Sequence, residues 1–297
     1  MTAVLTELSD ALASSVEAAA DSVVRVEGRR RLAGSGFVWS ADGLIVTANH
    51  VVKKDRSIRV GLHDGQSLEA SVAGRDPSTD LAVLKVEADG LTAVTAAPKD
   101  YRVGHMVLAL GRPGRTVQAT MGIVSALGDS WRTHMGGQID RYVQTDVVMY
   151  PGFSGGPLVG AGGQVLGLNS SALMRGVSLT IPAVTLERVV EALAKHGRLK
   201  RGYLGVSTQA VRLPSGAREE LGQKSGLLIV NVETGSPADN GGLLLGDTIV
   251  GISDAAVRRH EDLLAQLSGD VVDQKTPLKI IRGGEIRTIN VTIGERP

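Results

Sequence analysis

Beyond residue 22 the apolar residues recur at every second position, in short runs broken by turn residues, and few folds accept that pattern. Ser35–Trp39 and Leu44–Thr47 flank Asp42-Gly43, while Ser57–Leu62 and Leu68–Val72 flank Asp64-Gly65. An Asp-Gly pair tolerates the positive φ angles of a tight hairpin, so both read as β-hairpins. Val23–Val26 reads as a strand before them. Further strand-like runs follow at Leu81–Val86, Met106–Leu110, Gln118–Ala126, Tyr142–Thr145, Val165–Asn169 and Ser178–Ile181. No helices alternate with these runs, which argues for antiparallel barrels or sandwiches over a parallel sheet. Aromatic residues make up only 3% of the chain, so its cores must be built from Val, Ile, Leu and Ala.

Two segments break the pattern. Val4, Leu5, Leu8, Leu12 and Val16 lie at helical spacing and predict a short amphipathic helix. Pro182 opens a second helix, whose apolar face is Leu186, Val189, Val190 and Leu193 and whose stop is Gly197. The basic stretch Arg198 to Arg201 then reads as a solvated linker. From Tyr203 the chain restarts, with strands at Leu204–Ser207, Leu227–Val232 and Thr248–Ile252 and a helix at His260–Leu267. A hairpin of Leu278–Arg282 and Ile286–Ile293 closes it around Gly283-Gly284. The expected organisation is an N-terminal helical segment (1–22), a β domain (23–196), a linker (197–201) and a small domain (202–297).

Charge and cysteine content narrow the function classes. The 32 basic and 31 acidic residues are well mixed, and no basic stripe interleaves with aromatics, so nothing points to nucleic acid. With no cysteine there is no disulfide framework, thiol nucleophile or Cys-type zinc site. His, Asp and Glu show no ligand-type clustering, so no metal or organic cofactor is expected. No apolar run approaches the roughly 20 residues of a membrane span. No Lys or Arg precedes Arg25 and no apolar h-region is visible, so the chain as given reads as cytoplasmic, or as periplasmic if a leader has been removed.

The segment Gly152-Phe153-Ser154-Gly155-Gly156-Pro157 carries the chemistry. Glycines on both sides of a serine allow a sharp turn and leave adjacent N–H groups free to hold a developing oxyanion. The hydroxyl needs a base, and the base needs a third group to fix its tautomer. His50 follows the apolar run Leu44 to Ala48, and Asp80 ends a polar turn feeding the run Leu81–Val86, so both fall at strand ends. His63, His105, His134, His196 and His260 have no such context and receive no role. Asp76 and Asp146, the alternative acids, read as local backbone partners. Gly152 to Gly156 also fits the Gly-x-Ser-x-Gly elbow of α/β-hydrolases, but those enzymes run Ser, acid, His and need a parallel sheet.

Gly34-Ser35-Gly36-Phe37, the Thr47–Val52 block, the Asp80 block, Gly122-Ile123-Val124-Ser125 and Ser154-Gly155-Gly156-Pro157 resemble, in order, the HtrA (Deg) proteases. The resemblance implies a mainly β chain: a chymotrypsin-like double β-barrel followed by a small α+β PDZ domain. It implies a serine endopeptidase with His50, Asp80 and Ser154 as triad and the Gly152-Phe153-Ser154 loop as oxyanion hole, the N–H groups of Gly152 and Ser154 donating. In such barrels the residue six before the nucleophile, here Val148, lies at the base of the first specificity pocket, flanked by Met149 and Tyr150. With no carboxylate there, cleavage after small or medium aliphatic residues is expected. Leu168, Asn169 and Ser170 are expected to form the strand edge that pairs with substrate.

Arg201-Gly202-Tyr203-Leu204-Gly205-Val206 is similar to the carboxylate-binding loop of a PDZ domain, with Val206 and Leu263 expected to line the pocket for an apolar terminal side chain. The implied partners are unfolded polypeptides and apolar C-terminal peptides, and the implied task is protein quality control. The polar loop Asp129–Asp140 lies where the family carries a sensor loop. Family members are commonly homotrimers held by N-terminal aromatics. No aromatic precedes Phe37, which leaves the apolar face of the Leu5–Val16 segment to take that place. The sequence departs from the family at Phe153 and Tyr150, where Asn is common. That departure raises the competing reading of a low-activity or non-catalytic, chaperone-like peptide binder.

Overall fold

The computed structural model describes residues 2–29, 32–53, 56–96, 100–200, 202–267 and 271–295. Residues 1–199 and 200–297 form two compact units. In the first, helix α1 (Thr2–Ala20) leads into strands β1 (Val23–Glu27), β2 (Gly34–Ser40), β3 (Leu44–Ala48), β4 (Ile58–Gly61), β5 (Ser67–Asp76) and β6 (Leu81–Val86). These six strands close a barrel in the order β1-β2-β3-β6-β5-β4. A 3₁₀ turn, Asn49–Val51, follows β3.

A second barrel follows. Strands β7 (Met106–Gly111) and β8 (Gln118–Gly128) precede a two-stranded hairpin of β9 (Trp131–Arg132) and β10 (Gln138–Ile139). After β11 (Tyr142–Thr145), β12 (Pro157–Gly160), β13 (Val165–Ser170) and β14 (Ser178–Pro182), the strands close in the order β11-β14-β13-β12-β7-β8. Closure satisfies every strand laterally and removes the open edges that an isolated sheet would expose. Val, Ile and Leu fill both interiors; Phe37, Ile45, Leu84, Leu158 and Leu168 are completely buried.

Helix α2 (Ala183–His196) matches its predicted face, with Leu186, Val189, Val190 and Leu193 all buried. Gly197 ends it at φ 72°, a left-handed cap that costs glycine little, and its N–H donates to Leu193 O at 2.9 Å. Helix α1 extends beyond its predicted face in both directions. Leu12 and Val16 pack on the core, and Ser15 and Ala19 are buried, whereas Val4, Leu5 and Leu8 remain exposed.

The second unit consists of β15 (Gly202–Tyr203), β16 (Val206–Arg212), α3 (Ser215–Leu221), β17 (Ser225–Val232), α4 (Pro237–Asn240), β18 (Thr248–Ile252), β19 (Ala255–Ala256), α5 (His260–Gln266), β20 (Lys275–Arg282), β21 (Glu285–Thr292) and β22 (Gly294–Glu295). Its main sheet runs β16-β17-β18-β20-β21 over a core of its own that includes Leu227, Ile249, Leu278 and Ile280. The expected strand at Leu204–Ser207 is interrupted: Gly205, at φ 79°, turns the chain between β15 and β16. The fold class is therefore a mostly β chain, a double barrel followed by a smaller α+β domain. No helix among the described residues is long and apolar enough to cross a membrane.

Candidate active site

The first barrel presents His50 and Asp80 on adjacent strand ends. Three hydrogen bonds lock the two segments together. Asp80 O accepts from Asn49 N at 2.9 Å, Asp80 Oδ1 accepts from His50 N at 2.9 Å, and Asp80 Oδ2 lies 2.8 Å from His50 Nδ1. The carboxylate is nearly buried and the imidazole a quarter exposed, so the ring keeps one nitrogen toward solvent while the other is held. Asp80 has φ 58°, a left-handed conformation that Asp tolerates better than most residues. The turn that imposes it is tied by Asp76, whose carboxylate accepts from the backbone N–H and hydroxyl of both Ser78 and Thr79. Asp146 likewise serves its own neighbourhood, with Oδ1 accepting from Ile123 N at 2.6 Å.

The second barrel presents Ser154 on a loop wound by two glycines, Gly152 at φ 94° and Gly155 at φ 90°. Gly155 lies so close to the end of β3 that a Cβ there would sit 2.5 Å from Thr47 Oγ1 and 2.9 Å from Ala48 N. That approach brings the loop against the strand end preceding His50. Phe153 N donates to Tyr150 O at 3.0 Å and Gly155 N to Asn169 O at 2.9 Å. The N–H groups of Gly152 and Ser154 have no acceptor among the described residues, leaving two donors beside the serine. Ser154 Oγ lies 2.9 Å from Ser171 Oγ, its only side-chain partner among the described residues.

Several site residues stand elsewhere than expected. Phe153 contributes no donor to an oxyanion hole, because its N–H is taken by Tyr150. Its ring is fully buried with Val107, Ala109, Val147, Leu158 and Leu166, facing the barrel interior. Leu168 and Asn169 are not a free strand edge. Leu168 pairs with both Pro157 and Ile181, and Asn169 exchanges backbone hydrogen bonds with the Gly155–Gly156 turn. The physical reason is barrel closure, which uses both sides of β13 up to this point. Ser170 donates from Oγ to Asp80 Oδ2, so it supports the acid. Val148 is 55% exposed, Tyr150 is 56% exposed and Met149 is half-buried. Ser171 was missed by sequence reasoning because nothing in its local sequence marks a tertiary contact.

In the second unit, β16 pairs with β17 on one side only, which leaves its outer edge open among the described residues. Leu204 and Leu263, the latter on α5, are buried in one cluster, with Val206 packed against it. Gly205 sits between them, and Tyr203 Oη bonds the Glu233 carboxylate. Arg201 lies outside the described residues. The first residue of α5, His260, places Nε2 2.8 Å from both Thr208 O and Thr208 Oγ1 on β16. No role for His260 is expected from the sequence.

Residues 34–168 match the trypsin-like peptidase domain family, and residues 202–293 match the PDZ domain family. The solved HtrA-type protease AlgW with a decapeptide superposes with a TM-score of 0.79 at 30% identity, covering 96% of this chain and 99% of that one. This chain belongs to the HtrA family of serine proteases. A serine endoprotease from Yersinia pestis is similar too, with a TM-score of 0.78 at 29% identity over 96% of this chain and 98% of that one. Among curated HtrA relatives, the probable periplasmic serine endoprotease DegP-like of Ectopseudomonas mendocina is 39% identical over 280 residues, 91% of this chain and 58% of its own. The protein of the same name from Chlamydia pneumoniae is 35% identical over 278 residues, 91% of this chain and 57% of its own. The chain thus spans a little over half the length of these DegP-like relatives.

Proposed function

We propose that the protein is a serine endopeptidase in which Ser154 attacks the peptide carbonyl, His50 accepts and returns the proton, and Asp80 orients His50 and stabilises its charged form. The observation that carries this reading is the 2.8 Å contact of His50 Nδ1 with Asp80 Oδ2, with a glycine-flanked serine loop docked against the same strand end. Fixing Nδ1 as the donor leaves Nε2 as the base. The free N–H groups of Gly152 and Ser154 would receive the oxyanion. The exposed aliphatic Val148 and the half-buried Met149 favour cleavage after Val, Ala, Ile or Leu. Substrates would be unfolded chains, whose extended segments can enter the site, in a quality-control role. The relatives' names place them in the periplasm, and we assign this chain's activity to the same setting.

The PDZ domain would take an apolar C-terminus as an added strand on β16, its carboxylate on the Tyr203–Val206 loop and its last side chain between Val206 and Leu263. Thr208 O, which such a strand would pair with, is occupied by His260, so binding would exchange one bond for another. Occupancy would then deliver substrate or raise activity through the Asp129–Asp140 segment. The support is a pair of contacts: Thr133 Oγ1 donates to Ser78 O at 2.6 Å, two residues from Asp80, and Arg188 of α2 pairs with Asp140 at 2.8 Å. A homotrimer would use the exposed Val4, Leu5 and Leu8 of α1.

A second reading, a resting or weakly active form, is favoured by one observation: Ser154 Oγ bonds Ser171 in place of His50. Unfolded casein at neutral pH, with Ser154→Ala alongside and fragments followed by mass spectrometry, separates the readings. Cleavage after aliphatic residues by the wild type alone is expected. Cleavage only after adding an apolar C-terminal peptide would establish the resting form, and none under any condition would defeat the protease reading.

A further inference from the structure

Ser35 in β2 is completely buried and grips the nucleophile loop at two points. Its N–H donates to Ser154 O at 3.1 Å, and its hydroxyl donates to Gly152 O at 2.7 Å. The same hydroxyl accepts from Arg112 N at 2.8 Å, so its one proton and one of its two lone pairs are used. The peptide plane between Gly152 and Phe153 is therefore held at both ends: its oxygen by Ser35 and its N–H by Tyr150 O. With that plane fixed, the backbone angles of Gly152 set where its own N–H points. The grip on Ser154 O fixes the plane that follows.

Arg112 carries the same arrangement outward. It follows β7, is 4% exposed, and reaches three backbone carbonyls; among the described residues it makes no ion-pair contact with a carboxylate, and Asp21 acts on it only through space. Nε donates to Val23 O at 2.6 Å, Nη1 to Arg115 O at 2.8 Å and Nη2 to Ala20 O at 2.8 Å. Ala20 ends α1, where unpaired carbonyls and the helix dipole favour a cation. A buried guanidinium with several donors satisfied by fixed carbonyls is costly to displace.

We infer that Arg112 and Ser35 are positioning residues that tie the end of α1 to the Gly152–Ser154 loop and so hold the oxyanion donors in their working orientation. The inference rests on the protease reading above. Neither residue touches the reacting atoms; Ser35 acts through the Gly152 and Ser154 carbonyls, and Arg112 acts through its N–H on the Ser35 hydroxyl. Their loss should lower stabilisation of the tetrahedral state and leave ground-state binding in place. Removing a whole oxyanion donor costs about 10²–10³ in kcat. Misaiming the donors should cost less, roughly ten- to a hundredfold.

The test uses the full chain with a short aliphatic peptide substrate, a peptide boronic acid that adds to Ser154 as a tetrahedral adduct, and circular dichroism to measure the folded fraction. For Ser35→Ala and Arg112→Met, kcat should fall roughly ten- to a hundredfold per folded molecule with KM changed less than about twofold. Boronate affinity should fall in parallel. Ser35→Cys and Arg112→Lys, which keep a donor, should recover part of both. Unchanged kcat and boronate affinity in the folded variants, or a loss confined to KM, would overturn the inference while leaving the protease reading intact. If Ser35→Ala does not fold, Arg112→Lys and Arg112→Met decide by the same criteria. A wild type that neither cleaves nor binds the boronate, even with an apolar C-terminal peptide added, overturns both.

Discussion

Asp80 combines two demands in one residue: a left-handed backbone and a carboxylate aimed at His50. Asn satisfies the first demand and fails the second. Asp80→Asn should keep its melting temperature near wild type, yet lose about three to four orders of magnitude in kcat through the wrong imidazole tautomer. Thermal denaturation beside peptide hydrolysis reads both. Ser170 is subtler. Its hydroxyl shares Asp80 Oδ2 with the imidazole, and Ser170→Ala should reduce kcat/KM by about tenfold, the scale of a hydrogen bond to a charged group. Gly155 is the least tolerant position. A Cβ there meets Thr47 Oγ1 at 2.5 Å while φ stands at 90°. Gly155→Ala should abolish cleavage and lower the melting temperature by several degrees.

Among the elements, β11 and β12 carry the nucleophile loop between them, β13 holds its Gly155–Gly156 turn by backbone hydrogen bonds, and Phe153 secures that loop to the barrel interior. Truncation to Phe153→Ala should cost about 3–5 kcal/mol of stability, read by chemical denaturation of the first unit. These elements also show what a sequence reveals and what it hides. The strands around His50 and Asp80 were legible because Leu44–Ala48 and Leu81–Val86 are long and apolar. Strand β12 was not, because it opens on Pro157 and continues a glycine turn. Strands β9 and β10 have too few residues to establish a period, and α3 has no buried residue to form a stripe. The proposed triad is legible through the order of its motifs. Ser35, Arg112 and Ser171 were not, because their contacts join residues far apart in the chain, 117 positions between Ser35 and Gly152.

As a whole, the molecule keeps separate cores in its two units, so damage to one should leave the other standing. Asp247, 1% exposed, pairs with Arg282 at 2.7 Å, and that bond holds the guanidinium pKa above its ordinary value. Asp247→Ala leaves Arg282, itself a quarter exposed, without its carboxylate and removes the acceptor of Leu244 N, and should destabilise the second unit by about 1–3 kcal/mol. Calorimetry should show its transition shifted alone, with hydrolysis of a short peptide unaffected. The first unit has a further property that emerges only in time. The proposed acid–base pair, Asp80 and His50, lies in one barrel and Ser154 in the other, with Ser170 arriving last to hydrogen-bond Asp80. A ribosome delivers the halves in that order. Under the proposed mechanism a growing chain would carry a base with nothing to activate, and it could not digest itself or its neighbours until the second barrel had closed.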